Sequence, residues 1–122
     1  IGRYEDKVDN QFYWYIRPQE TGNKTDVRWL ALLNSEGEGV KITGLQPIAF
    51  SALHFSPEDL DPGLTRKLQH TIDIVPQKNI FLHVDLKQRG LGGDNSWGMY
   101  PHNKYRLLDK KYVYSYMIEL ID

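Results

Sequence analysis

Apolar and polar positions alternate with a period of two through much of this chain. The alternation is cleanest from Ile80 to Lys87, where Ile80, Leu82, Val84 and Leu86 fall on one face and Phe81, His83, Asp85 and Lys87 on the other. Side chains two residues apart share a face in an extended strand, so this segment predicts a strand with one side buried. Tyr112 to Ile121 gives a second alternating segment, with Tyr112, Tyr114, Tyr116, Ile118 and Leu120 on one face and a mixed set on the other. Further strands are predicted at 11–17, which stops at Pro18, at 27–33, at 40–45 and at 48–55. The turn Asn34-Ser35-Glu36-Gly37-Glu38-Gly39 separates two of them, with glycine supplying positive φ at little cost. One helical turn is predicted at Ser56-Pro57-Glu58-Asp59, from an N-cap serine, proline at the first helical position and acids in the first turn. About seven strands at this spacing, with one short helix, predict an all-β fold, an antiparallel β-sandwich formed by residues 1–122 as a single domain.

Composition adds constraints. The 122 residues are 40% hydrophobic and 25% charged with a net charge of −1, which fits one ordinary globular domain. Acids and bases are interspersed, so the chain lacks the cationic stripe that a nucleic-acid partner requires. There are no cysteines, which excludes disulfides and thiolate metal sites but leaves the compartment open. No apolar run approaches the length of a membrane span, so no membrane partner is expected. The start Ile1-Gly2-Arg3-Tyr4 has no initiator methionine, and the chain reads as an excised or processed segment. Eight Tyr, three Trp and four Phe make it rich in flat rings, most of which are expected in the sandwich core.

Two loops carry the candidate chemistry. The first, Gly90-Leu91-Gly92-Gly93-Asp94-Asn95-Ser96-Trp97-Gly98, follows a strong strand. A phosphate cradle needs a helix N-terminus after its glycines, and none is predicted, so a nucleotide loop is rejected. A tryptophan on a loop is more often packed than ligand-facing. The glycines around Trp97 weigh the other way, because they let backbone and ligand approach closely. The second loop joins two aromatic strands, and its amide, carboxylate and guanidinium groups, Arg17 and Glu20 among them, could meet hydroxyl groups; a solvated hairpin loop with local hydrogen bonds is the more common explanation of such a segment. His54, His70, His83 and His102 form no close metal pair and read as structural residues. Capping and turn roles account for Asp59, Asp61 and Asp94, and no Ser/His/Asp constellation can be built from the spacing.

Both loops carry a family resemblance. The run from Tyr15 to Trp29 and the run from Gly90 to Gly98 resemble segments in the C-terminal domain of the large bacterial β-galactosidases of glycoside hydrolase family two, and Phe50 to His70 is also similar. The resemblance spans nearly the whole chain in one order. It implies that this is the small-chain region of a β-supersandwich similar to galactose mutarotase, folded over the mouth of a (β/α)₈ barrel. That barrel and the parent enzyme's other domains are the implied partners. It implies removal of terminal non-reducing β-D-galactose, as in lactose, by a retaining double displacement whose two glutamates lie in the barrel. Trp97 matches the tryptophan that forms a platform for the galactoside or its aglycone sugar. Asp94, Asn95 and Ser96 match the residues that shape that loop, and Arg17 and Glu20 fall where rim contacts or loop order are set. Mg²⁺ and Na⁺ or K⁺ are implied for the whole enzyme, none for this segment, and a homo-oligomer is compatible with it.

The family's supersandwich is about twice this length and its first half is missing here, which leaves part of the sugar face unbuilt; without the barrel's two glutamates, hydrolysis by this chain alone is not expected. Two other readings remain: a stand-alone carbohydrate-binding module, which would bind galactose, glucose or lactose by itself, and a structural interdomain piece, which would expose a large apolar patch.

Overall fold

The computed structural model describes residues 1–13, 21–61, 63, 70–90 and 98–122. The fold is all-β. Among the described residues its strands are β1 (Lys24–Leu33), β2 (Gly39–Leu53), β3 (Phe81–Asp85) and β4 (Tyr116–Ile121), accompanied by one short helix, α1 (Pro57–Leu60), and three 3-10 turns. They form a four-stranded sheet in which β1 and β3 flank β2, and β4 also pairs with β2. The chain divides into two compact units. One comprises Ile1–Lys24 and Phe50–Val84, the other Thr25–Ala49 and Asp85–Asp122.

In the second unit, β1 and β2 are joined by the predicted turn. The Asn34 side-chain oxygen accepts from the backbone N–H groups of Glu36 and Glu38, each at 2.9 Å. Gly37 takes φ 90°, as its position requires. The expected strands 40–45 and 48–55 are one continuous strand of 15 residues. Pro47 falls within it, a residue that cannot donate to a ladder. In the structure it lies where pairing with β4 has already stopped. The antiparallel β2–β4 register runs from Gly39↔Ile121 to Gly44↔Tyr116. Past it, Leu45 N–H donates to the Ser115 carbonyl at 3.0 Å. The Gln46 side chain then takes the place of backbone. Its amide donates to Ser115 O at 3.1 Å, and its carbonyl accepts from Ser115 N–H at 3.2 Å. A side chain can satisfy one residue in this way but cannot extend a ladder, so β4 begins at Tyr116 and not at the expected Tyr112.

In the first unit, Phe12, Leu53, Phe55 and Leu60 form the core, with Ile74 packed against it. The Phe12 and Phe55 rings lie 4.6 Å apart between centroids, tilted by 42°. Helix α1 forms where the local signals place it. The Ser56 hydroxyl accepts from Asp59 N–H at 3.2 Å while the Asp59 carboxylate accepts from Ser56 N–H at 2.8 Å, a reciprocal capping box with Pro57 in the first turn. Gln77 donates to the same Asp59 oxygen at 2.5 Å. Partial burial alone would raise the Asp59 pKa, but the hydrogen bonds from Ser56 and Gln77 outweigh it and hold the carboxyl below the usual carboxylate value. A depressed carboxylate contributes stability that is present above the unfolded-state pKa and lost as pH falls through the lower folded value. Asp59→Ala is therefore expected to cost about 1 kcal/mol near neutral pH, with a smaller difference from wild type at strongly acidic pH. Urea unfolding at the two pH values checks this; an unchanged difference would mean that the box contributes nothing through its charge.

Two expectations about burial need correction. Strand β3 is half-buried at every position rather than on one face. Among the described residues the rings do not mostly enter the core: Phe12 and Phe55 are buried, while Trp29, Tyr100, Tyr105 and the β4-side tyrosines Tyr112, Tyr114 and Tyr116 are exposed. A period of two tells which residues share a face, and nothing about whether that face is covered.

Candidate functional site: the bases of two loops

The residues assigned a sugar-facing or loop role, Arg17, Glu20, Asp94, Asn95, Ser96 and Trp97, all lie outside the described residues. The described chain shows how each of their loops is anchored.

The described residues that flank Arg17 and Glu20 in sequence lie in the first unit. Upstream, the Asp6 carboxylate gathers a 3-10 turn at Val8–Gln11 by accepting from Asn10 at 2.7 Å, Gln11 at 2.8 Å and Lys7 N–H at 2.8 Å. The Asn10 side chain first, then the Lys7 N–H, pulls the Asp6 pKa below its ordinary value. Tyr13 N–H donates to the Thr21 hydroxyl at 3.1 Å across the neck of the loop. Gly22 follows with φ 68°, and a Cβ placed there would lie 2.5 Å from the Gln11 carbonyl oxygen. Lys24 then reaches back to the Gly22 carbonyl at 2.7 Å. Burial lowers the Lys24 pKa against the opposing pull of Asp6.

The described residues that flank Asp94 to Trp97 in sequence lie in the second unit. Gly90 N–H donates to the Tyr105 carbonyl at 2.7 Å. A Cβ on Gly90 would meet the Tyr105 Cβ at 2.6 Å, so only glycine permits this approach. Beyond the loop, the Arg106 guanidinium lies 4.4 Å from the centre of the Tyr100 ring, and its Nη1 donates to Asn103 Oδ1 at 3.2 Å. Sequence reasoning noticed the glycines around Trp97 but missed Thr21, Gly22 and Tyr105. A glycine inside a polar loop was a usable signal for Gly22. Tyr105 acts through its backbone carbonyl, which no residue type betrays.

The first unit also holds a pocket lined by Thr21, Ser51, Leu53, Phe55, Phe81 and His83. No pair of acids is among its lining residues. His54 Nδ1 faces the carbonyls of Gln77 at 2.9 Å and Asn79 at 3.2 Å, and Nε2 lies 3.6 Å from Asp9. Carbonyls only accept, so Nδ1 carries a proton and His54 serves as a clamp on that segment. Asp61 accepts from Gly63 N–H at 2.9 Å, the turn role expected of it. Among the described residues, no group of three His, Cys, Asp or Glu could hold a metal ion, and no helix is long and apolar enough to cross a membrane.

Comparison with known proteins gives these loops a setting. The family model described as beta galactosidase small chain matches residues 1–118. A β-galactosidase of Priestia megaterium is 36% identical over 107 residues, covering 88% of this chain and 10% of the relative. The β-galactosidase BgaC of Bifidobacterium adolescentis is 36% identical over 96 residues, covering 76% of this chain and 9% of the relative. A Streptococcus thermophilus β-galactosidase is 32% identical over 121 residues, covering 98% of this chain and 11% of the relative. The chain thus spans about a tenth of the length of these relatives. With a match over nearly every residue, this chain belongs to the β-galactosidase small-chain family.

Proposed function

We propose that this chain is the part of a β-galactosidase that closes over the mouth of the active site, and that Trp97 presents its indole to the sugar there. The whole enzyme, a member of glycoside hydrolase family two, removes terminal non-reducing β-D-galactose by a retaining mechanism. Its acid/base and nucleophile are glutamates of another domain, so this segment without the rest is inactive. The observation that carries this reading is the family match over residues 1–118, together with relatives named β-galactosidase in which the segment is a small fraction of the length.

An indole face stacks on the apolar face of a pyranose, worth about 1 kcal/mol beyond the area it covers, by analogy with aromatic stacking. That contact acts on ground and transition states alike, so it lowers KM more than it raises kcat. Asp94, Asn95 and Ser96 hold the loop; Arg17 and Glu20 order the second loop or touch the rim. In the whole enzyme, Trp97→Ala is expected to raise KM for a disaccharide by about fivefold to tenfold and to affect a galactoside with a small leaving group far less. Steady-state kinetics on both substrates test this. Equal effects would reject a platform in the leaving-group subsite.

A further inference from the structure

Direct partners in an antiparallel pair share a face, so the β2–β4 register sorts the two strands. One face carries Val40, Ile42 and Gly44 of β2 opposite Leu120, Ile118 and Tyr116 of β4. The other carries Lys41 opposite Glu119 and Thr43 opposite Met117. Lys41 and Glu119 are ion-paired across the strands at 3.7 Å, and the Lys41 ammonium also lies 5.9 Å from the centre of the Trp29 ring. The second face therefore has charged groups suited to water. The first has none; on its β2 half Ile42 is already buried, but on its β4 half Tyr116 is 41% exposed, Ile118 60% and Leu120 80%. Three consecutive same-face apolar side chains on one strand, each open to solvent, form a surface that needs a cover.

The size of that surface decides which cover. Two strands about 4.8 Å apart and six residues long span roughly 10 Å by 20 Å, a few hundred Å² at most. A stable complex between separate molecules buries about 800 Å² on each partner. Docking of a second copy through this face alone falls well short. A segment of the same polypeptide needs far less area, because it is spared most of the roughly 4 to 15 kcal/mol of lost rotational and translational freedom. The relatives supply such a segment, since this chain covers only about 10% of their length.

We infer that the Tyr116, Ile118 and Leu120 face of β4 is an intramolecular docking surface, covered by apolar side chains from another segment of the parent polypeptide, while the Lys41–Glu119 face stays in water. The inference rests on the reading of this chain as one part of a longer enzyme and is independent of any role for Trp97.

Single-cysteine variants of the whole enzyme, labelled with a maleimide and read by peptide mass spectrometry, test it. Leu120→Cys is expected to label at least about tenfold more slowly than its neighbour Glu119→Cys in the folded enzyme, with the difference vanishing on denaturation. The protection is expected not to change when the enzyme is diluted or dissociated into single chains. Equal labelling at the two positions in the folded enzyme overturns the docking surface. Protection that disappears on dissociation overturns the intramolecular occupant in favour of a second copy. Because labelling reads the surface and the Trp97→Ala kinetics read the sugar platform, either idea can fail while the other stands.

Discussion

Phe55→Ala is expected to cost about 3 to 4 kcal/mol, the range for removing a buried phenyl ring and leaving its cavity. Phe55 is 8% exposed and, among the described residues, belongs to a cluster with Phe12, Leu53 and Leu60, with Ile74 alongside. So small a cluster has few neighbours able to move into the space. The loss includes the tilted contact with Phe12, worth about 0.5 to 1.5 kcal/mol beyond area burial. A whole domain is stable by only about 5 to 15 kcal/mol, so the first unit would open locally before the rest of the protein unfolds. Hydrogen exchange at the amides of residues 50 to 60 in the whole enzyme measures it. A protection loss equivalent to less than about 1 kcal/mol would show that the Phe12–Phe55 pair is not the centre of this unit.

That core also shows what could be read in advance. The capping box at Ser56 and Asp59 was legible because each of its bonds lies within four residues, where residue type and spacing fix the geometry. The strand at 81–85 was legible from its alternation. The continuity of β2 through Pro47 was not, because it depends on a partner some seventy positions away that stops pairing just before the proline. The exposure of the aromatic residues was not legible either. Tyr114 and Tyr116 pair with each other, ring centres 5.8 Å apart, at the start of a segment whose pattern is that of a buried strand. The pattern is correct for a strand that will be covered, and the cover is supplied by residues outside this chain if the docking surface is as inferred. For the candidate site, the sequence pointed to the loops. What it could not indicate were their anchors, since Tyr105 contributes a backbone carbonyl and Thr21 a hydroxyl like any other.

Of these anchors, Gly22 has the largest predicted effect on the 14–20 loop. Its φ of 68° lies in the left-handed region, which costs an L-residue about 1 to 2 kcal/mol. In Gly22→Ala the new methyl would also stand 2.5 Å from the Gln11 carbonyl oxygen and 3.2 Å from Leu53 Cδ2. The carbonyl belongs to a turn held by three bonds to Asp6, and Leu53 is in the core, so neither yields cheaply. Strain and displacement together are expected to cost about 2 to 4 kcal/mol. If the neck shifts to make room, the Tyr13–Thr21 bond lengthens and the loop bearing Arg17 and Glu20 loses its fixed base. In the whole enzyme, Gly22→Ala should therefore lower stability and raise KM, whereas Thr21→Val, which removes the accepting hydroxyl alone, should raise KM with a stability loss near 1 kcal/mol. Thermal unfolding and steady-state kinetics on the two variants separate the effects. Should both leave KM unchanged, the 14–20 loop has no part in holding substrate, and Arg17 and Glu20 lose their proposed place at the rim.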